Sequence, residues 1–445
     1  MVEAKRRRGG KIRGALTIIA AGALVAACSS GGNGKSSSTT AASGGKGGAV
    51  PTKLALEYTG GTAGKADAKL SAVKIGYINQ ETGSPSYPEN TAGAELAVKY
   101  VNENLGGVKG HPLELVKCFV ATEEDGQKCA TQMLNDPSVK LVLTGTEVVG
   151  NDAIYSVLKD KKPIISGNGL TATDFAQPDA VTYMPASPGV VSGLAKWIVD
   201  GGVGKVKSVA VVATDDAGAK AAAQLLFQPA VEKAGISVKT VFISPTAQGS
   251  TVASAIKTAG GDKADVMVAL VPVQSCIAIY DALKSLSINP TFVTSGLCFG
   301  TPLIKHLNGT FPNGWYFGAY GVNYFMPVKK GLLASEQLGD YMKVKDAYNP
   351  TMEYTGFAGP EFANVLTITK FYNQLGVDAT SEQLRTTSKN FAGPQWSIPG
   401  PQACGKVSPL FVTVCSGTMG IEQFKDGKWI SIADAYNNKL INAFS

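Results

Sequence analysis

The residues best suited to chemistry are polar side chains that directly follow predicted strands. They are Tyr87, Thr146, Glu147, Asn168, Asp215 and Gln274, with Gly169 beside them. The carboxyl ends of parallel strands meet at one edge of a sheet, so we expect these groups to converge on one crevice. Such groups hold a small polar or zwitterionic molecule, with Tyr87 as a flat wall and Glu147 or Asp215 pairing a ligand cation.

A second explanation stays open for these residues. Tyr87, Glu147, Asp215 and Gln274 are each accounted for equally well as solvated loop residues or helix caps.

The sequence contains no recognisable catalytic motif. The glycine run at residues 201–205 lacks the spacing of a phosphate-binding loop and precedes a predicted strand instead of following one. Neither a G-x-S-x-G nucleophile elbow nor an H-E-x-x-H zinc motif occurs in the chain. The sequence therefore predicts a protein that is not an enzyme, with no catalytic residues, no metal site and no cofactor.

Six cysteines follow Cys28, and an even number in a secreted chain indicates disulfides. Six cysteines allow fifteen pairings. Spacing along the chain favours Cys118–Cys129, Cys276–Cys298 and Cys404–Cys415. Zinc binding is the weaker explanation, because no Cys-x-x-Cys occurs and both His111 and His306 stand apart from the cysteine pairs.

The N-terminus has the pattern of an export signal. A cationic segment precedes 14 uncharged residues, 14–27, fewer than the roughly 20 that a membrane-spanning helix needs. Val25-Ala26-Ala27-Cys28 then resembles a bacterial lipobox, in which the cysteine thiol carries diacylglycerol and becomes the first residue after cleavage. An ordinary secretory signal followed by a chance cysteine is the alternative.

The segment after Cys28 has the composition of a flexible tether, with seven Gly and six Ser in residues 29–48. We predict a signal peptide at 1–27, and a lipidated Cys28 with its tether over 28–71. This arrangement predicts a lipid-anchored protein on the extracytoplasmic face of the cell membrane.

The charge balance gives no support for nucleic-acid binding. The chain has 41 Lys and Arg against 34 Asp and Glu, a formal net charge of +7. Residues 1–27 hold six of those cations and one anion, so the rest of the chain keeps 35 cations against 33 anions. That remainder provides no basic field, and we expect no nucleic-acid partner.

From about residue 72 short apolar runs alternate with amphipathic stretches. Strands are predicted at 73–78, 113–116, 139–143 and 163–165, and then at 208–213, 238–243, 266–271 and 291–293. Nearly continuous apolar strands separated by helices indicate parallel sheets covered on both faces. Two such series predict an α/β protein of two lobes with a ligand cleft between them.

The first of these series resembles a known family. A strand ending near Asn79 is followed by Thr82-Gly83, by a helix carrying Ala97 and Asn102, and by the glycine run of residues 106–110. This order resembles the start of the Leu/Ile/Val-binding-protein family, the type I periplasmic solute-binding proteins of ABC transporters. The resemblance implies two lobes, each a parallel β-sheet flanked by helices, joined by a hinge of three crossover segments.

The resemblance also implies lobe boundaries. Crossings are expected near residues 184–187, 316–320 and 393–398. Lobe 1 then comprises 72–186 plus 320–395, and lobe 2 comprises 187–319 plus 396–445.

The function that the resemblance implies is capture of a small polar or amino-acid-like solute and its delivery to the permease subunits of an ABC importer. A ligand-sensing receptor module of the same fold that signals to a membrane partner is the alternative. A cell-surface hydrolase is a third possibility, and the lack of a catalytic motif speaks against it.

Overall fold

The computed structural model describes residues 49–437 and 439–445. The predicted signal peptide, Cys28 and residues 29–48 lie outside the described residues. The strands are β1 (Val73–Asn79), β2 (Leu113–Phe119), β3 (Val139–Thr144), β4 (Ile164–Ser166), β5 (Ala180–Val181), β6 (Ser208–Thr214), β7 (Ser237–Ile243), β8 (Val266–Leu270), β9 (Phe292–Thr294), β10 (Tyr316–Ala319), β11 (Thr418–Lys425), β12 (Lys428–Ala433) and β13 (Ile441–Asn442).

The helices alternate with these strands over most of the chain. They are α1 (Lys53–Thr59), α2 (Pro88–Asn104), α3 (Glu123–Asn135), α4 (Asn151–Leu158), α5 (Ala172–Phe175), α6 (Ala186–Val199), α7 (Ala217–Lys220), α8 (Gln228–Lys233), α9 (Gly249–Ala259), α10 (Val273–Leu286), α11 (Thr301–His306), α12 (Leu333–Tyr348), α13 (Ala358–Leu375) and α14 (Ser381–Lys389). A π-helical segment, Ala221–Phe227, joins α7 to α8.

Local sequence explains where these helices begin. Helix α3 starts at a capping box: the Thr122 hydroxyl accepts from the backbone N–H of Asp125, and the Asp125 carboxylate accepts from that of Thr122. Its apolar face then buries Cys129, Ala130 and Met133 against the sheet. Capping sets the start of the helix, and burial of this face holds it in place.

The sheet of lobe 1 is entirely parallel, in the order β2-β1-β3-β4-β5. Helices α2 and α13 cover one face, and α3 and α4 cover the other. Strand β1 is buried along nearly its whole length, as expected for a strand with helices on both sides. This layering is the predicted α/β arrangement.

The sheet of lobe 2 is mixed, in the order β12-β11-β10-β9-β8-β6-β7, with β13 paired to β11. Strands β6 to β10 run parallel, whereas β11 and β12 form an antiparallel hairpin at the edge. The hairpin turns through Asp426-Gly427, both with positive φ (51° and 74°), as a two-residue primed turn requires. The expectation of a purely parallel second sheet is corrected here, because a two-residue connection can only join antiparallel strands.

The predicted tether ends earlier than residue 71. Helix α1 lies within 28–71, yet its Ala55 is buried in the core of lobe 1. The Tyr58 hydroxyl and that of Thr367 are 2.7 Å apart, and the Asn373 amide donates to the Thr59 carbonyl at 3.1 Å. The segment has no clear apolar period, and its position depends on these contacts with α13.

The expected lobe assignment of 396–445 is also corrected. Trp396 and Cys415 are buried in the core of lobe 1. The backbone of Thr182, just beyond β5, exchanges two 2.9 Å hydrogen bonds with the 413–415 segment. After residue 396, the chain returns to the sheet of lobe 2 only at Thr418, where β11 begins.

Three disulfides join the pairs that spacing favoured: Cys118–Cys129, Cys276–Cys298 and Cys404–Cys415. The second connects the start of α10 to the turn after β9, at the carboxyl edge of the lobe 2 sheet. It therefore fixes two loops that face the cleft.

Within the described part of the chain, no helix combines the length and apolar character needed to span a membrane.

Candidate ligand-binding site

Two side chains at the end of β1 organise the lobe 1 loops. Asn79 is fully buried, and its amide donates to the Tyr87 carbonyl at 2.9 Å and accepts from the Thr146 N–H at 3.2 Å. Gln80 accepts from the Val148 N–H at 2.8 Å and donates to the Pro85 carbonyl. These two amides hold the loops after β1 and β3 together, a role that the sequence analysis did not assign to them.

Lobe 2 contributes the carboxyl ends of its central strands. Thr214 ends β6, Leu270 ends β8, and Ser295 follows β9. Together with Tyr87 and Leu170 of lobe 1 they enclose an inter-lobe cleft of about 390 Å³, including its open mouth. The cleft therefore lies at the sheet edges where ligands of open α/β proteins bind.

The walls of the cleft are mostly apolar. Its lining is Tyr87, Leu170, Ser187, Val191, Thr214, Asp216, Gly218, Ala219, Ala222, Leu270, Val271, Pro272, Ser295, Leu297 and Tyr320. Leu297 of lobe 2 packs on a buried cluster of lobe 1 that contains Tyr87 and Phe357. The ring of Phe357 lies 6.1 Å from that of Tyr87 and 5.5 Å from that of Tyr320. These aromatic contacts join the two lobes.

Two hydroxyl groups in this lining have no hydrogen-bond partner within the described residues. They are Oγ1 of Thr214 and Oγ of Ser295, on side chains that are 0% and 3% exposed. Buried polar groups are normally paired, so these hydroxyls are free to bind a ligand. The charged group of the lining is Asp216, whose Oδ1 accepts from the Ala219 N–H at 2.9 Å and caps α7.

A second chamber of about 480 Å³ adjoins the cleft and shares Tyr87, Pro272 and Leu297 with it. It carries the carboxyl groups of Glu89 and Glu353. Burial, together with the nearby charges of Glu353 and Glu81, raises the pKa of Glu89 to about 7. This side of the inter-lobe space is therefore lined by carboxyl groups, with no Lys, Arg or His among the described lining residues.

The structure brings only some of the predicted site residues to the cleft. Tyr87 lines it, while Thr146 is fully buried beneath the loops and its hydroxyl accepts from Asn90. The Asn168 amide is buried behind the lining and has no partner in the described residues. The Gly169 carbonyl accepts from the Ser187 N–H at 3.4 Å, next to the first inter-lobe connection.

Asp215 and Gln274 lie apart from the cleft. The Asp215 carboxylate is about half exposed and pairs with Lys220. The Gln274 side chain is exposed on the first turn of α10. The neighbour of Asp215 in sequence, Asp216, takes the cleft-facing position that we predicted for Asp215.

Glu147 lies beneath the cleft and does not line it. Its side chain is 4% exposed, and its Oε1 has no partner among the described residues. Burial raises the pKa of Glu147 well above its ordinary range, and the carboxylates of Asp174 and Glu361 add to this effect. Because Glu147 does not line the cleft and its burial disfavours the charged form, it is not placed to pair a ligand cation.

The comparisons with known proteins agree with this architecture. The family model described as periplasmic binding protein matches residues 72–402. This chain belongs to the periplasmic binding protein family. The match confirms the resemblance inferred from the sequence and the two-lobe α/β fold. None of the curated proteins compared matches the chain.

Solved structures of the family share the fold at low sequence identity. A leucine-binding protein of Thermotoga maritima is 15% identical, with 83% of this chain and 99% of that chain covered and a TM-score of 0.64. A fatty acid ABC transporter substrate-binding protein of Thermomonospora curvata is 14% identical, with coverage of 87% and 99% and a TM-score of 0.66. A solute-binding protein of R. palustris in complex with benzoate is 14% identical, with coverage of 82% and 96% and a TM-score of 0.64.

Proposed function

We propose that this protein captures a small organic solute between its lobes and delivers it to the permease of an ABC importer. The observation that carries the proposal is the cleft itself: both lobes point the carboxyl ends of their strands at it, and two of its hydroxyl groups, those of Thr214 and Ser295, lack partners among the described residues. Two of the solved neighbours named above, a leucine-binding protein and a fatty acid ABC transporter substrate-binding protein, support the same role.

Lobe closure supplies the signal that a permease reads. A ligand shifts an open–closed equilibrium only if it binds the closed state more tightly. Residues of both lobes line this cleft, so a bound molecule contacts both at once only when they are together. Ligand binding therefore stabilises the closed form.

The direct test is to purify the protein without unfolding it and to identify any released small molecule by mass spectrometry. We expect one solute, which rebinds the ligand-free protein at a 1:1 ratio in calorimetry and compacts it in small-angle scattering. Tyr87→Ala should weaken rebinding at least tenfold, whereas the matched control Gln274→Ala, at an exposed residue outside the cleft, should not. A protein that releases no solute and binds none contradicts the proposal.

We also propose that the protein is anchored to the extracytoplasmic face of the membrane by a lipid on Cys28. The lipobox-like residues 25–28 and the Gly/Ser-rich stretch that follows them support this location. Wild-type protein should partition into the detergent phase, and Cys28→Ala should move it to the aqueous phase. Equal partition of both would contradict lipidation at this residue. Co-purification with permease subunits, and not with a signalling kinase, would separate transport from sensing.

A further inference from the structure

In the loop after β3, two backbone N–H groups that could bind a ligand carboxylate already have partners in the protein. Its Thr146 N–H is held by the Asn79 side-chain oxygen at 3.2 Å. Its Val148 N–H is held by the Gln80 side-chain oxygen at 2.8 Å. Two side chains of the protein therefore occupy backbone donors that could otherwise bind a ligand carboxylate.

Four backbone N–H groups of the loop after β4 are occupied in the same way. The N–H groups of Leu170 and Thr171 both donate to one carboxylate oxygen of Asp174, at 2.9 and 2.7 Å. Those of Gly167 and Asn168 donate to carbonyl groups of β3 and its loop, at 2.7 and 3.1 Å. Asp174 thus takes the place of an external anion, and a ligand carboxylate here would have to displace it.

The charges around the cleft also oppose an anion. In the described part of the chain, the lining of the cleft and of the adjoining chamber includes no Lys, Arg or His. Both do include carboxyl groups, those of Asp216, Glu89 and Glu353. An anion that leaves water for this environment loses its hydration without gaining a counter-charge, which is unfavourable.

The groups that remain for a ligand suit a different chemistry. Thr214 and Ser295 offer buried, unpartnered hydroxyls, and a hydroxyl both donates and accepts. The Asp216 carboxylate can accept a hydrogen bond from an ammonium or hydroxyl group. Around them, Leu170, Val271 and the other apolar walls favour a hydrocarbon body.

We infer that the cleft selects a compact, mostly apolar alcohol or amine and excludes carboxylates, amino acids included. The inference rests on the proposed solute-binding function and deepens it. The hydroxyl or ammonium group of the ligand binds Thr214, Ser295 and Asp216, and its hydrocarbon body fills the apolar part of the cleft.

The test uses probes with matched hydrocarbon skeletons on ligand-free protein. One set is leucine, 3-methylbutan-1-amine, 4-methylpentanoate and 3-methylbutan-1-ol, and the other is phenylalanine, 2-phenylethylamine, 3-phenylpropanoate and 2-phenylethanol. In calorimetry, the amine or the alcohol of at least one set should bind at least tenfold more tightly than the acid and the amino acid. Thr214→Val and Ser295→Ala should each weaken that binding about threefold to tenfold, the range for one lost hydrogen bond, whereas Asp215→Asn, outside the cleft, should not.

Each outcome decides between the two proposals. Tightest binding of an amino acid or an acid overturns the inference and leaves the solute-binding function standing. A native solute that carries a carboxylate does the same. If no probe binds, the inference fails, and if in addition the protein yields no native solute, the proposed function fails with it. The probe series on the wild type decides the question even if a variant does not fold.

Discussion

Glu361 gives the sharpest test of the energetics of lobe 1. Its side chain is fully buried on the first turn of α13, where Oε2 accepts from the Asn364 amide at 3.0 Å. Its Oε1 has no partner in the described residues, and burial raises the pKa of Glu361 to about 8. The carboxyl group is therefore neutral in the folded protein at pH 7, although it ionises near pH 4.5 in the unfolded chain.

The sign of the effect follows from proton binding. Below pH 4.5 both states are protonated, so the group does not make the stability depend on pH. Between pH 4.5 and 8 the unfolded state releases a proton that the folded state keeps, so stability falls as pH rises, by about 1.4 kcal/mol per pH unit. From pH 5 to pH 8 the loss from this residue is about 3 kcal/mol.

Glu361→Gln should remove this dependence, because glutamine has the shape of the neutral acid and keeps an acceptor for Asn364. We expect urea unfolding at pH 5, 6, 7 and 8 to show that the variant gains stability relative to wild type as pH rises, by about 3 kcal/mol over the range. Glu114→Gln, at an exposed position of β2, is the matched control and should follow the wild type. Parallel curves for wild type and Glu361→Gln would show that the buried carboxyl group is not neutral, and the reasoning would be refuted.

Three further changes test the packing. Gly93→Ala should lower the free energy of unfolding by about 1–3 kcal/mol, since a methyl group there would lie 2.1 Å from a carbonyl oxygen of α13. A variant more stable to urea than the wild type would contradict this. Gly218→Val should weaken solute binding about fivefold to a hundredfold in calorimetry and leave the urea midpoint near that of the wild type. The reason is that even a methyl group at this position would lie 3.1 Å from Leu170 of the opposite lobe. Unchanged affinity would mean that the lobes need not approach this closely. Replacing both Cys276 and Cys298 by Ala should lower the free energy of unfolding by about 3 kcal/mol, given the separation of 22 residues that the crosslink closes. A double variant as stable to urea as the wild type would argue against that crosslink.

Much of the fold was predictable because its signals are local. Apolar runs of strand length alternate with helical stretches, and this pattern alone specifies parallel sheets covered by helices. The Asp426-Gly427 hairpin also had a local signal, a two-residue turn sequence between alternating segments, from which an antiparallel pair could have been predicted. Helix α1 had no such signal, because contacts with α13, some 300 residues later in the chain, hold it in place.

The sequence by itself determined which strand ends face the cleft, but not which side chains point into it. Asp215 and Asp216 follow the same strand, and only the turn into α7 directs one toward Lys220 and the other toward the cleft. Glu147 follows β3 as predicted, but it is buried next to Glu361, a residue of α13. Strand ends follow from local patterns of hydrophobicity, whereas the direction, burial and charge of a loop side chain depend on groups that only tertiary packing brings near it. For that reason the sequence located the cleft, and the structure determined the chemistry inside it.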